Sequence, residues 1–228
     1  MKEYEIYSNL KVPLCSKTIL RLDGRNFHTL SKNLKLLKPY DELFFKKIVS
    51  VCEEIFNEFS PIFIYAFSDE ISILFDKLPY SSRIEKLDSI FPSFASSSLT
   101  INLNHDYNLD NIKPIAFDSR VITVTDNEIS KYFKWRQDES WRNCVNSYGI
   151  HTLKDKYSSK KSNVIIKGLK IQDIHELLFD NGINLNDLPI WQKRGIAIYK
   201  NNLEKTIIDF KIPKFNNEFF KNINIIDV

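Results

Sequence analysis

The chain has 228 residues, of which 43% are hydrophobic and 27% charged, and its net charge is +3. That apolar content is enough to bury a substantial core and excludes a disordered tail protein. No run reaches the ~20 apolar residues of a membrane-spanning helix, and the N-terminus lacks the ~7–15-residue apolar stretch of a secretion signal, so no membrane association is expected.

In chain order, Thr18–Asp23 reads as a strand ending at Asp23-Gly24. A helix follows, opened by Pro39-Tyr40-Asp41. In it Phe44, Ile48, Val51, Ile55 and Phe59 recur on one face, and Pro61 ends it. Two apolar runs, Ile62–Phe67 and Ile71–Phe75, are joined only by Ser68-Asp69-Glu70, which is a hairpin signal. Residues 83–99 read as helix interrupted near Pro92, and Phe117–Val124 as another strand. Thr125-Asp126-Asn127-Glu128 has capping-box spacing and opens a long helix to about Tyr148, with Gly149 as its stop. A further helix, Ile171–Asn181, ends at Gly182. The pattern is one α/β domain with a C-terminal extension.

The five glycines fit neither the Rossmann nor the Walker A spacing. Three dispersed cysteines (Cys15, Cys52, Cys144) form no CxxC pair, which points to a reducing compartment, intracellular and in the first place cytoplasmic, with an organelle as the alternative. The four histidines show no HxxxH spacing, so any metal is expected on carboxylates, favouring a hard ion such as Mg²⁺. Residues 131–170 hold ten Lys/Arg against three acids. Such a block either meets a polyanion or is a solvated lysine-rich surface.

The chemistry-bearing residues are Asp23, Asp69 and Glu70. If the hairpin pairs with the first strand, their carboxylates meet at one sheet edge, an arrangement that is costly without a bound cation. Two acids on neighbouring strand ends are what a two-Mg²⁺ phosphoryl-transfer site requires. Asp23-Gly24 and Ser68-Asp69 are also ordinary turn pairs, but flanking Phe67 and Ile71 argue against a merely solvated turn. In the long helix, Trp135, Arg136, Gln137, Trp141, Arg142, Asn143 and Asn146 crowd into about three turns. Such a set contacts phosphates and stacks on unpaired bases, or else its tryptophans are core anchors. Lys193 and Arg194 add further phosphate partners. His151 and His175 read as structural.

RLDGRNFHTL (Arg21–Leu30), LKPYDELF (Leu37–Phe44), YAFSDEISILF (Tyr65–Phe75), FDSRV (Phe117–Val121), WRQDESWRNCVNSY (Trp135–Tyr148) and KGLKIQDIHELLFDNGINLNDLP (Lys167–Pro189) stand in this order. The set resembles the tRNA(His) guanylyltransferase family and its relatives. The resemblance implies a polymerase-palm antiparallel sheet of βαββαβ type with helices on one face. The palm would span residues 1–125 of a single catalytic domain, and residues 126–228 would form a helical RNA-binding part. It implies addition of nucleotides to the 5′ end of tRNA in the 3′–5′ direction, after activation of a 5′-monophosphate by ATP, with GTP or other nucleoside triphosphates as substrates. It also implies a homo-tetramer.

Carried over by position, Asp23 and Asp69 would bind two Mg²⁺ ions and the Gly24 carbonyl one of them, while Glu70 matches a third acid needed for activity. Asp23, Gly24, Arg25, Asn26, Phe27 and His28 would cradle the triphosphate, with Lys38, Ser68 and Asp69 facing it. His28 there acts sterically or as an acid–base group. Arg136, Trp141, Arg142, Asn143, Lys193 and Arg194 are the expected RNA contacts. Two positions depart from the family pattern: Trp141-Arg142-Asn143-Cys144 lacks the histidine typical of tRNA(His)-dedicated members, and Ile174 replaces a lysine. These favour template-dependent repair of truncated tRNA 5′ ends over guanylyl addition to tRNA(His) alone. A palm-derived tRNA-binding protein without turnover is the alternative of another class.

Overall fold

The computed structural model describes residues 1–13, 16–110, 112–154 and 156–226. Cys15 and Asp155, counted above, lie outside them. Its centre is a six-stranded antiparallel sheet built from β1 (Lys17–Gly24), β2 (Phe63–Phe67), β3 (Glu70–Phe75), β4 (Phe117–Val124), β5 (Ile196–Lys200) and β6 (Thr206–Asp209), in the order β4-β1-β3-β2-β5-β6. The four strands expected from the sequence lie within a residue of their expected bounds. β5 and β6 were not anticipated, and they attach residues after 195 to the same sheet as the N-terminal half.

Both faces of the sheet are covered. On one, α2 (Glu42–Phe59) and α3 (Ile84–Asn104) pack Phe45, Ile48, Cys52, Ile55, Leu87, Phe91, Ala95 and Leu99 against Leu20, Leu22, Ile64, Ile71 and Ile73. On the other, Ile19, Phe63, Tyr65 and Leu74 meet Ile129, Tyr132 and Phe133 of α4 (Asp126–Lys154) and the C-terminal Phe215, Phe219 and Phe220. The palm helices thus share one face, as expected, and the helical C-terminal part covers the other. The central strands β2 and β3 are buried at every residue and lack the alternation that a solvated face would impose.

Two helix expectations also change. α3 runs through Pro92, whose missing N–H leaves the Asp88 carbonyl without its helical donor. Leu87, Phe91, Ala95, Leu99 and Leu103, spaced every four residues, hold that helix by burial instead. α4 continues past Gly149 to Lys154. A Cβ at Gly149 would lie 2.7 Å from Ile166 Cδ1 and 2.9 Å from Ile174 Cγ2. This glycine therefore admits α5 (Ser159–Gly168) and α6 (Ile171–Asp180) against α4 rather than stopping the helix. Ile174 is buried in that small helical lobe with Val145, Leu153, Ile166 and Leu178.

Candidate active site

The acids meet through strand register. β1 runs antiparallel to β3 with Asp23 opposite Glu70, and to β4 with Asp23 opposite Asp118. Phe67 opposite Glu70 closes the β2–β3 hairpin, so its loop is only Ser68-Asp69, one residue shorter than expected. Ser68 adopts φ 52° to make that turn. The Gly24 N–H donates to the Asp69 carbonyl at 3.2 Å, fastening the hairpin tip to the end of β1. Asp23 and Asp69 are both half-buried. Burial pushes the Asp69 carboxyl above its ordinary range; the Ser68 hydroxyl partly opposes this, and the Asp23 charge adds to it. Ser68 Oγ donates to Asp69 Oδ1 at 3.0 Å, and among the described residues no ion pair neutralises Asp23 or Asp69.

Glu70 has a different setting. Its two carboxylate oxygens accept from Arg136 Nε at 2.7 Å and Nη2 at 2.6 Å, and both side chains are buried. Arg136, expected at the RNA surface, faces inward and spends its fork on this pair.

Among the described residues no three His, Cys, Asp or Glu side chains gather as a metal cage. The donor set available is two carboxylates and the Gly24 carbonyl. That set fits Mg²⁺, which typically takes one or two carboxylates and completes its shell with water and substrate phosphates. It does not fit a soft or tetrahedral ion.

Beside the acids opens a cavity of about 430 Å³, the size of a small-molecule site. Of the expected triphosphate contacts, Phe27, His28, Lys38, Ser68 and Asp69 line it, whereas Asp23 and Gly24 do not. Lys38 reaches Ser31 Oγ, and burial lowers its pKa, with the Lys154 charge adding to that effect. The loop carrying it is held by Asp41, whose carboxylate accepts from Leu37 N and Phe44 N, both at 2.9 Å, and so caps α2. Arg25 and Asn26 do not line this cavity. They open on a neighbouring one with Lys113 and Asn33, on the other side of Phe27. Asn26, at φ 58°, starts α1 (Phe27–Asn33).

Asn143, expected to meet RNA, lines the 430 Å³ cavity instead, together with Ser140, Asn146 and Ser147. Sequence reasoning missed Tyr40 and Gln192. Tyr40 packs edge-on to Trp191 at 5.7 Å, and Gln192 accepts from Tyr148 OH at 2.6 Å. Tyr40 stood inside the LKPYDELF motif, whereas nothing marked Gln192, which reaches the site from α7 (Ile190–Arg194). Trp141, Lys193 and Arg194 line a separate cavity with Lys134 and Lys214, on a different set of α4 residues. Lys193 Nζ donates to the Asn186 carbonyl at 2.8 Å and Arg194 Nη1 to that of Ile212 at 3.3 Å, so both are partly committed to the chain. Arg142 is exposed and paired with Glu139 at 2.8 Å.

Residues 1–125 match the family model described as Thg1, tRNAHis guanylyltransferase. An uncharacterized protein of Acanthamoeba polyphaga mimivirus, R259, is 27% identical over 95% of this chain and 82% of its own length. Arabidopsis thaliana tRNA(His) guanylyltransferase 1 is 28% identical over 91% of this chain, which spans only 37% of that longer protein. Among solved structures, a bacterial tRNA(His) guanylyltransferase-like protein in complex with ATP superposes with a TM-score of 0.84 at 26% identity, covering 100% of this chain and 98% of that one. A bacterial tRNA(His) guanylyltransferase-like protein in complex with GTP gives 0.77 at 26% identity, covering 100% and 97%. No described helix is long and apolar enough to cross a membrane.

Proposed function

The chain belongs to the tRNA(His) guanylyltransferase family of nucleotidyltransferases, and from that premise we propose that it adds nucleotides to the 5′ end of tRNA in the 3′–5′ direction, using a Mg²⁺-dependent site at Asp23 and Asp69. One observation carries the proposal. The β1–β3 register and the contact from Gly24 N–H to the Asp69 carbonyl bring together two carboxylates without basic partners among the described residues, and Asp69 of the pair lines a nucleotide-sized cavity.

Asp23, Asp69 and the Gly24 carbonyl would hold the metal, which when bound neutralises phosphate charge and acidifies an attacking hydroxyl. Lys38 supplies an ammonium to the triphosphate from a loop preset by Asp41. His28 and Ser68 line the same cavity, where Asn143, Asn146 and Gln192 offer amide groups to a base. Arg25 and Lys113, in the adjoining cavity, suit the phosphate of a second strand or nucleotide. The relatives solved with ATP and with GTP support both as substrates here. Exposed Arg142 and the cationic cavity at Lys134, Lys193, Arg194 and Lys214 suit the tRNA backbone.

Trp141-Arg142-Asn143-Cys144, without the histidine expected of tRNA(His)-dedicated enzymes, favours template-dependent repair. The names of the relatives favour guanylyl addition to tRNA(His). A 5′-monophosphorylated tRNA lacking its first nucleotide, given ATP and each labelled nucleoside triphosphate, separates the two. Repair extends the truncated tRNA with the nucleotide complementary to the opposing base. A dedicated guanylyltransferase extends only tRNA(His), and only with G. Tight tRNA binding without transfer would support a non-catalytic protein. Full transfer by Asp23→Ala or Asp69→Ala would refute the site.

A further inference from the structure

We propose that Glu70 and Arg136 form an internal strut that positions Asp69 and Asp23, with Glu70 outside the metal-ligand set and Arg136 outside the RNA surface. The inference rests on the metal site proposed above and assigns these two residues within it.

The geometry is that of a fork on a carboxylate. Arg136 Nε and Nη2 reach Oε1 and Oε2 of Glu70 at 2.7 and 2.6 Å, a bidentate pair of the stronger, charge-assisted kind. The two side chains are 9% and 10% exposed. Both oxygens of Glu70 therefore already face a cation, and a Mg²⁺ ion on either would sit beside the guanidinium charge. Asp23 and Asp69 carry no such partner among the described residues, so the three acids divide into two open to a metal and one closed to it.

The strut lies where it controls the other two. Glu70 follows Asp69 directly and stands opposite Asp23 in the β1–β3 ladder. Across the hairpin it stands opposite Phe67, and the Arg136 guanidinium lies 5.7 Å from the Phe67 ring. Arg136 thus touches both legs of the hairpin whose tip is Ser68-Asp69. Its other neighbour is Trp135, with the ring centre 4.4 Å from the guanidinium carbon, and Arg21, two residues before Asp23 on β1, lies 5.8 Å from that same ring. Through these contacts α4 locks onto β1, β2 and β3 at the one end where the acids are. The guanidinium also cancels one of three negative charges, leaving a two-carboxylate site.

A buried pair of this kind has a distinctive mutational signature. Removing one partner strands the other's charge, whereas replacing both by apolar side chains of similar size is often tolerated. The test uses the full chain as Arg136→Met, Glu70→Leu and the double variant. It reads Mn²⁺ binding to the protein alone, urea unfolding, and kcat and KM for nucleotide transfer.

Arg136→Met should lower kcat ~100-fold or more and tighten Mn²⁺ binding severalfold, because the freed Glu70 charge joins the acids. The double variant should return kcat to within ~10-fold of the parent and Mn²⁺ affinity to within ~3-fold, a strongly non-additive cycle. If Glu70 ligates the metal, the double variant is as inactive as Glu70→Leu and both bind Mn²⁺ at least ~10-fold more weakly; that result overturns the proposal. If Arg136 is an RNA contact, Arg136→Met raises KM for tRNA and leaves Mn²⁺ binding and unfolding unchanged, which also overturns it. Where a single variant fails to fold, the double variant still decides. If the parent protein transfers no nucleotide, the enzymatic reading fails, while the Mn²⁺ and urea measurements still test the strut.

Discussion

Gly24→Ala separates two roles that one small residue can play beside the acids. A Cβ on Gly24 would lie 2.4, 2.5 and 2.7 Å from Cδ2, Cε2 and Cγ of Phe27. Carbon atoms rest at about 3.5–4.0 Å, so the ring must retreat by roughly 1 Å. It has little room to do so, because Phe117 meets it edge-on at 5.1 Å and Phe44 at 6.2 Å. Overpacking of this kind costs about 1–3 kcal/mol. The strand backbone at Gly24 suits alanine, and the less flexible unfolded chain returns about 0.4–1 kcal/mol. The net loss is about 1.5 kcal/mol, roughly tenfold in the folded-to-unfolded ratio.

Phe27 also lines the cavity proposed for the nucleotide, so its displacement should reduce transfer as well as stability. Phe27→Leu vacates the space that the new methyl needs, and the pair should therefore be non-additive by about 1 kcal/mol or more in favour of the double variant. Urea unfolding of the four proteins at equal m-values measures this. If Gly24→Ala costs less than about 0.5 kcal/mol while transfer is lost, the glycine serves only close approach of a phosphate and the packing argument is wrong. Strict additivity of the two changes is equally damaging to it.

Gly195 follows α7 with φ 73° and ψ −160°, and a Cβ there would stand 2.3 Å from the Ala66 carbonyl oxygen. Since Ala66 pairs with Ile196 in the β2–β5 ladder, neither strand can yield, and Gly195→Ala should lose about 3 kcal/mol or more in urea. Lys38→Ala should raise KM for the nucleoside triphosphate about 10–100-fold, the worth of one charge-assisted bond, with urea stability nearly unchanged; an unaltered KM would remove Lys38 from the site. The raised pKa of Asp69 means that its stability contribution is complete below the ordinary carboxylate value and is lost as pH rises through the folded value. Asp69→Asn should therefore melt higher than the parent at pH 7 in EDTA, with the difference shrinking toward pH 4. Added Mg²⁺ should raise the parent's melting temperature and not the variant's, and a destabilised Asp69→Asn protein in EDTA would contradict the assignment.

What could be read from the sequence was local. Asp23-Gly24 after an apolar strand, and Ser68-Asp69 between two apolar runs, carry their own turn chemistry, so the meeting of the acids was legible once antiparallel pairing was assumed. The long helix was legible at its start, where the Glu128 carboxylate accepts from the Thr125 hydroxyl at 2.8 Å and the Thr125 N–H at 2.9 Å. Its end was not, because Gly149 follows the rule for a helix stop while serving close packing with residues 17 and 25 positions later. β5 was hidden for a related reason. Ile196–Lys200 is short, lies in an Asn-rich tail and joins the sheet by pairing with β2, far back in the chain, as well as with β6. The Asn143 and Gln192 side chains were similarly obscure, since their placement in one cavity depends on how α4 and α7 cross the sheet.

Arg136 shows most directly why composition misleads at this site. Its helix is rich in arginine, tryptophan and amides, and that mixture describes an RNA-facing surface equally well as a helix whose inner face meets a charged strand end. The difference lies in the parity of β1 and β3. Ile19, Arg21 and Asp23 alternate onto the same sheet face as Glu70, Ser72 and Leu74, and α4 packs on that face. As the helix passes from the apolar contacts of Ile129 and Phe133 toward the acidic end, an apolar residue at position 136 would leave Glu70 buried without a counterion. An arginine there satisfies both carboxylate oxygens. One and two turns further on, Ser140 and Asn143 of the same helix line the cavity proposed for the nucleotide. α4 therefore joins two tasks in succession, charge balance at Glu70 and a polar lining for the cavity. A change in its seating against β3 should disturb metal binding and nucleotide binding together.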